Sequence, residues 1–203
     1  MKKTANQTIA NGINIEITNK CKIKCPACPR QTNKKNLVGS YTIPLNELKL
    51  IIDTFPQLSF CGQMADPIYH PEFLDLVKYI DNDTNVTFHT NGHGFDEDWW
   101  WDVFVACKGK RIRWIFGLDG LPKDSHKYRV LQDGEQVFEM MQLGASLGCD
   151  IRWQYIVFNY NENDIEEARA LAKKNNITFE EMHSNRFWAN PEYKPNNKDK
   201  YVN

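Results

Sequence analysis

Hydrophobic residues in this chain follow two rhythms that alternate along its length. Ile13-Asn14-Ile15-Glu16-Ile17 alternates apolar with polar and is largely β-branched, which predicts a first strand. A polar loop follows, and then Leu45, Leu48, Ile51, Ile52 and Phe55 recur at helical spacing. Leu58 to Cys61 predicts a second strand ended by Gly62, and Pro71 opens a helix with the stripe Phe73, Leu74, Val77 and Ile80. Val86 to Thr90 predicts a strand closed by Asn91-Gly92, and Asp96 begins a helix with Trp100, Val103, Phe104 and Cys107 on one face. Ile112 to Leu118 is a strand ended by Asp119-Gly120, and Val137, Met140, Met141, Gly144 and Leu147 mark a helix. Ile151 to Phe158 predicts a strand, Glu162 to Asn175 a helix, and Ile177 to Met182 a last extended segment.

Strand and helix alternate through six strands, which argues for an α/β fold with parallel strands and helical crossovers. From Ile13 to His183 there are 171 residues, about 28 per strand–helix unit, whereas eight units would leave only about 21 each, too few for a full eightfold barrel. A six-stranded open barrel and a doubly wound sheet both remain, and either places chemistry at the C-terminal ends of the strands. The chain divides into a lead-in (1–12), a core domain (13–183) and a polar tail (184–203) that lies over the barrel or is partly disordered.

Composition narrows the function classes. The 203 residues carry 25 basic and 26 acidic side chains, a formal charge of −1. That balance excludes a polybasic nucleic-acid clamp as the main theme, so nucleic acid is not an expected partner. No run approaches the ~18 apolar residues of a membrane span. Polar Asn6, Gln7 and Asn11 stand where a signal peptide would be apolar. A cytoplasmic location is therefore expected, where the six cysteines do not imply three disulfides.

Three of those cysteines sit together, in Cys21-Lys22-Ile23-Lys24-Cys25-Pro26-Ala27-Cys28. One short loop after a first strand thus offers three thiolates, enough for three corners of a 4Fe–4S cluster with one iron left open. An open position is what separates catalytic from structural metal sites. Between Thr18 and Asn36 lie six basic residues, Lys20, Lys22, Lys24, Arg30, Lys34 and Lys35, and no acidic one. Positive charge stabilises thiolates and anionic ligands, although each lysine taken singly reads as a solvated side chain. A structural zinc site would need a fourth ligand from Cys61 or a distant histidine, since no second Cys or His pair stands at finger spacing. Cys61, Cys107 and Cys149 read as packing residues.

The ordered loops resemble those of the radical S-adenosylmethionine (SAM) enzymes over most of the chain, from about Ile13 to His183. The CxxxCxxC loop is similar to their 4Fe–4S signature. Phe60-Cys61-Gly62-Gln63-Met64-Ala65-Asp66-Pro67 resembles the Gly-Gly-Glu-Pro region that holds the amino group of SAM, and a carboxylate with exposed carbonyls is what an ammonium needs. His89-Thr90-Asn91-Gly92 resembles the Thr-Asn-Gly after strand three, and Leu118-Asp119-Gly120 the Ser-Ile-Asp-Gly turn after strand four. Tyr128-Arg129, Trp153 to Val157 and Asn161-Glu162 are similar to the subgroup that often carries a cysteine-rich, SPASM-type extension.

The resemblance implies a partial (β/α)6, TIM-like barrel with cluster and SAM at its open mouth. It implies reductive cleavage of SAM to a 5′-deoxyadenosyl radical, which abstracts hydrogen from a peptide or small metabolite. A one-electron donor such as flavodoxin or ferredoxin is implied as partner. The metal ligands carried over are Cys21, Cys25 and Cys28; the cofactor-binding candidates are Gly62, Ala65, Asp66, Pro67, Asn91, Asp119, Arg129 and Gln154.

The chain departs from the family pattern at several positions. Ala27 stands where an aromatic residue is common, Met64-Ala65-Asp66-Pro67 replaces Gly-Gly-Glu-Pro, and Gly117 replaces a serine that helps hold SAM. No cysteine follows Cys149, so auxiliary-cluster chemistry is not expected. These departures keep a second reading open, a non-catalytic metal-binding or scaffold module with a degenerate SAM site.

Strand alternation supplies further expectations. Arg113, Ile115, Gly117 and Asp119 share one face of strand four, opposite Trp114 and Phe116, so Arg113 should point inward and meet a carboxylate of SAM, substrate or the chain itself. Gln154 becomes an interior polar candidate on strand five, and Arg129 could reach the SAM carboxylate. His89 and His93 could line a substrate cavity, although ordinary hydrogen-bonded histidines fit as well. Of Trp99-Trp100-Trp101, Trp100 should be core and its neighbours partly exposed.

Overall fold

The computed structural model describes residues 12–32, 40–62, 64–197 and 200. The expected lead-in lies outside them but for Gly12, as do Gln63, Lys34 and Lys35.

Six strands, β1 (Ile13–Ile15), β2 (Gln57–Phe60), β3 (Asn85–Thr90), β4 (Ile112–Gly117), β5 (Asp150–Ile156) and β6 (Thr178–Met182), form one sheet in the order of the chain. Every neighbouring pair is parallel. The order never reverses, so the doubly wound alternative, which needs a switch point, is not the one adopted. The result is the partial (β/α)6 barrel, with β1 and β6 as edges among the described residues.

Helices α1 (Pro29–Thr32), α2 (Leu45–Thr54), α3 (Phe73–Tyr79), α4 (Glu97–Cys107), α5 (Gly134–Ser146) and α6 (Ile165–Lys174) lie in the connections. Strand alternation decides what they cover. Leu58, Phe60, Val86, Phe88, Trp114, Phe116, Ile151, Trp153 and Tyr155 are buried on the helix side. Trp100 of α4 is the hub, with its ring 5.1 Å from Phe104, 5.5 Å from Trp114 and 5.3 Å from Phe116. Its neighbour Trp101 is 48% exposed and Trp99 is half-buried, as the helical turn requires.

The inward set is polar at the base. Arg113 meets Asp150 at 2.9 Å, Asp150 meets Arg152 at 3.2 Å, and Arg152 meets Glu180 at 2.7 Å. Of the three carboxylates open to Arg113, the chain's own is the one that takes it, at the end of the barrel away from the cysteine loop. Cys107 is buried in the core and Cys149 packs against it, as expected; Cys61 does neither.

Through Asn197 the tail is packed rather than free. Phe187 meets the Phe158 ring edge-on at 6.0 Å and Tyr193 meets Tyr128 at 5.2 Å. Asn159 Nδ2 donates to the Glu192 carbonyl at 2.7 Å, and Asn196 Nδ2 to Glu162 at 2.6 Å. No helix among the described residues is long and apolar enough to cross a membrane.

Candidate cofactor site

β1 ends at Ile15, and beyond it Thr18 bridges to Thr42. The cysteine loop that follows is pinned by Lys24 N–H donating to the Val130 carbonyl at 2.9 Å and closed by a Cys28 to Cys25 turn of 3.1 Å. Cys21, Cys25 and Cys28 all line one cavity of about 700 Å³ at the C-terminal ends of the strands. Burial pushes the Cys21 thiol up to about 11 and the Cys25 thiol up to about 12. Both are therefore neutral thiols in the metal-free chain, and metal binding must release their protons.

Asp66 is held by strand ends rather than by a flexible loop. One of its oxygens accepts from Ile68 N–H at 3.2 Å, capping a short 3-10 turn over Pro67–Tyr69. The other accepts from Asn91 N–H and Asn91 Nδ2 at 2.5 Å each and from the Thr90 hydroxyl at 3.1 Å. Burial nevertheless lifts its carboxyl to about 7, against these donors and Arg129. Asn91 Nδ2 also lies 3.6 Å from Cys21 Sγ, so the end of β3 touches the cysteine loop directly.

The end of β4 carries the cation. Arg129 Nε donates to Asp119 at 2.8 Å, with side-chain exposures of 13% and 0%. The second Asp119 oxygen accepts from Ile156 N–H at 2.9 Å. A Cβ at Gly117 would collide with the guanidinium of Arg129, so the missing side chain there makes the room for that cation. At Gly62 a Cβ would collide with the Ala65 carbonyl, so Gly62 leaves room for the close approach of that backbone group.

Six of the eight cofactor candidates, Gly62, Ala65, Asp66, Asn91, Arg129 and Gln154, line the same cavity as the cysteines. Pro67 is buried in the 3-10 turn, and Asp119 is buried against Arg129 and away from the cavity lining. His89 lines the cavity, and burial lowers its basicity. His93 instead accepts from Asp133 N–H at 3.2 Å, the ordinary alternative.

The role of Gln132 and the cavity-facing position of Cys61 were not foreseen in the sequence, whereas a tail over the barrel was. Gln132, 3% exposed, donates from Nε2 to the carbonyls of Asn91 at 2.6 Å and Gly117 at 3.0 Å, tying the ends of β3 and β4 together. An isolated glutamine in a loop carries no signal for that. Cys61 and the tail residues Ser184, Asn185 and Arg186 also face the cavity, so the tail forms part of its wall.

Among the described residues no three His, Cys, Asp or Glu side chains close in to hold a single metal ion. Three thiols on one cavity lining are a donor set that an iron–sulfur cluster would take.

Solved structures share this architecture. SuiB of Streptococcus suis bound to its precursor peptide SuiA aligns with a TM-score of 0.69 at 16% identity, over 84% of this chain and 38% of that one. A second, anSMEcpe with bound AdoMet, aligns at 0.61 and 14%, over 90% of this chain and 53% of that one. Methylornithine synthase (PylB) aligns at 0.59 and 17%, over 84% and 52%. The fold is that of the radical SAM core. No family model and no curated protein matches the chain. The chain spans about half the length, or less, of the radical SAM structures it matches.

Proposed function

We propose that the chain acts as a radical SAM enzyme, with Cys21, Cys25 and Cys28 holding a 4Fe–4S cluster and SAM bound beside it. The observation that carries this reading is the convergence of all three thiols, Arg129 and the Asp66–Asn91 pair on one cavity at the strand ends. When bound, the cluster and SAM supply reductive cleavage and a 5′-deoxyadenosyl radical for hydrogen abstraction.

The chain's own residues hold and orient. Arg129, kept charged by Asp119 although burial opposes it, meets the carboxylate of SAM in this reading. Gly62 and Ala65 offer carbonyls and Asp66 a carboxylate to its ammonium, and Asn91 fixes Asp66 against Cys21. Asp119 acts on SAM only through Arg129, and Pro67 only by stiffening the turn. Gln154, His89 and Cys61 line the same cavity, Gln154 on the side of the cofactor and the other two toward substrate in this reading. A precursor peptide bound to SuiB supports a peptide among the substrate classes. The reading needs a reducing compartment, in keeping with a cytoplasmic location.

Anaerobic reconstitution with iron and sulfide tests the proposal. The expected result is about four irons per chain, the broad visible absorbance of a cluster, and 5′-deoxyadenosine on adding dithionite and SAM. Tight zinc binding with no SAM cleavage would sink it.

A further inference from the structure

The side-chain amide of Gln132 is buried and bonded at both ends. Besides the two bonds from Nε2 to the Asn91 and Gly117 carbonyls, Oε1 accepts from the Ser125 hydroxyl at 2.5 Å. Ser125, fully buried, accepts in turn from Asp119 N–H at 3.0 Å. Carbonyl groups only accept, so one orientation of the amide satisfies all these partners and the reverse satisfies none of the carbonyls. The last rung of the β3–β4 ladder pairs Thr90 with Phe116. Asn91 and Gly117 are the next residue on each strand, and there the amide of Gln132 takes the place of a rung.

The loop that presents Gln132 is itself fastened. Gln132 N–H donates to the Arg129 carbonyl at 2.8 Å, Arg129 N–H to the Ser125 carbonyl at 2.9 Å, and the Val130 carbonyl takes the Lys24 N–H of the cysteine loop. Leu131, between Val130 and Gln132, has φ 77°, a left-handed conformation that a leucine side chain disfavours. Its side chain is 54% exposed, so the bonds of its neighbours, not its own packing, hold it there.

Each carbonyl that Gln132 grips belongs to one half of the site. Asn91 holds Asp66 and lies beside Cys21, whereas Gly117 leaves the room for Arg129. The amino and carboxylate groups of SAM sit on one carbon atom, so the protein groups that meet them work together only at one spacing. Gln132 stands behind the cavity wall, outside its lining.

We infer that Gln132 is a positioning residue that fixes the spacing between the Asp66–Asn91 and Gly117–Arg129 halves of the site, and with it the hold on the amino-acid end of SAM. The inference rests on the radical SAM reading above.

Calorimetric titration of the reconstituted full chain with two ligands tests it. SAM carries both anchored groups; 5′-methylthioadenosine keeps the nucleoside and the sulfur and lacks both. Gln132→Met keeps the reach of the side chain and removes the amide. It should weaken SAM about tenfold and leave 5′-methylthioadenosine within about twofold of wild type. Ser125→Ala keeps the amide and removes the hydroxyl that orients it, so it should weaken SAM in the same selective way and by less. Iron per chain, measured on the same samples, separates ligand binding from cluster assembly. Unchanged SAM affinity in Gln132→Met would overturn the inference and leave the radical SAM reading standing. An equal loss for both ligands, a loss explained by missing iron, or failure of both variants to fold would overturn it too, because Gln132 would then serve the fold alone. A wild-type chain that assembles no cluster or binds no SAM would overturn that reading and this inference with it.

Discussion

The guanidinium of Arg129 occupies the space that a side chain on residue 117 would fill. Gly117 and Arg129 therefore act as a pair: the strand gives up a side chain, and a loop ten residues on from buried Asp119 supplies the cation instead. The arrangement places fixed positive charge beside Cys25, on the cavity that the three thiols share. A preorganised charge of this kind binds an anionic group without rearranging.

Gly117→Ala should expel Arg129 from that position, because the new methyl group meets the guanidinium and Asp119 restrains its retreat. The expected loss is at least about tenfold in SAM affinity, or about 1.4 kcal/mol, with about 1–3 kcal/mol of stability lost to overpacking. Calorimetric titration of SAM into the reconstituted chain, alongside urea unfolding, measures both. An unchanged SAM affinity would remove Arg129 from the proposed site.

Asp119 and Arg129 should behave as one unit in unfolding experiments. Arg129→Met leaves a fully buried carboxylate with the Ile156 N–H as its one remaining partner among the described residues, at an expected cost of about 3–5 kcal/mol. Asp119→Asn in the same chain should restore part of it, so the double variant is more stable than the sum of the singles requires. Strict additivity would mean that the pair is not coupled.

Much of this arrangement was legible in the sequence. The alternation of Leu58–Phe60, Val86–Phe88 and Trp114–Phe116 is a local property of strands buried under helices, so it gave the sheet and its outer face. The CxxxCxxC spacing placed three thiols on one loop for the same reason. What stayed hidden depends on contacts between distant segments. Nothing near Gln132 says that its amide reaches both Asn91 and Gly117. Nothing near Arg113 says which carboxylate ends up beside it, because Asp150 is brought there by the β4–β5 register. Cys61 read as a packing residue because one position at a strand end cannot reveal whether it turns toward helices or cavity.

Thiol chemistry should report the protonated state of Cys25. With its thiol pushed up to about 12, Cys25 in the metal-free chain should alkylate with iodoacetamide at pH 8 more than about a hundredfold slower than a free cysteine. Unfolding in urea should abolish the difference. Loading with iron and sulfide should release protons and become tighter as pH rises. Mass spectrometry of the labelled peptide decides the first point, and rapid labelling of folded Cys25 would contradict the burial that the structure assigns to it.

Asp66 should make the metal-free chain less stable as the solution is brought from acid to neutral. Its carboxyl is lifted by burial to about 7, against an ordinary value of 3.8, so between those limits the folded state holds a proton that the unfolded state has released. Stability then falls with rising pH, because the unfolded chain binds fewer protons than the native one. The contribution is fully present below about pH 4 and is lost by about pH 7; it amounts to a few kcal/mol. Asp66→Asn removes the titration and should flatten the slope in that window. It also weakens the cap on Ile68 N–H and the bonds from Asn91, so its stability starts lower. Urea midpoints for both proteins across pH 4 to 8 test the sign, which a separate loss of overall stability cannot imitate. A wild-type chain that gains stability relative to Asp66→Asn as pH rises would mean that the four donors around the carboxylate, and not its burial, control its charge.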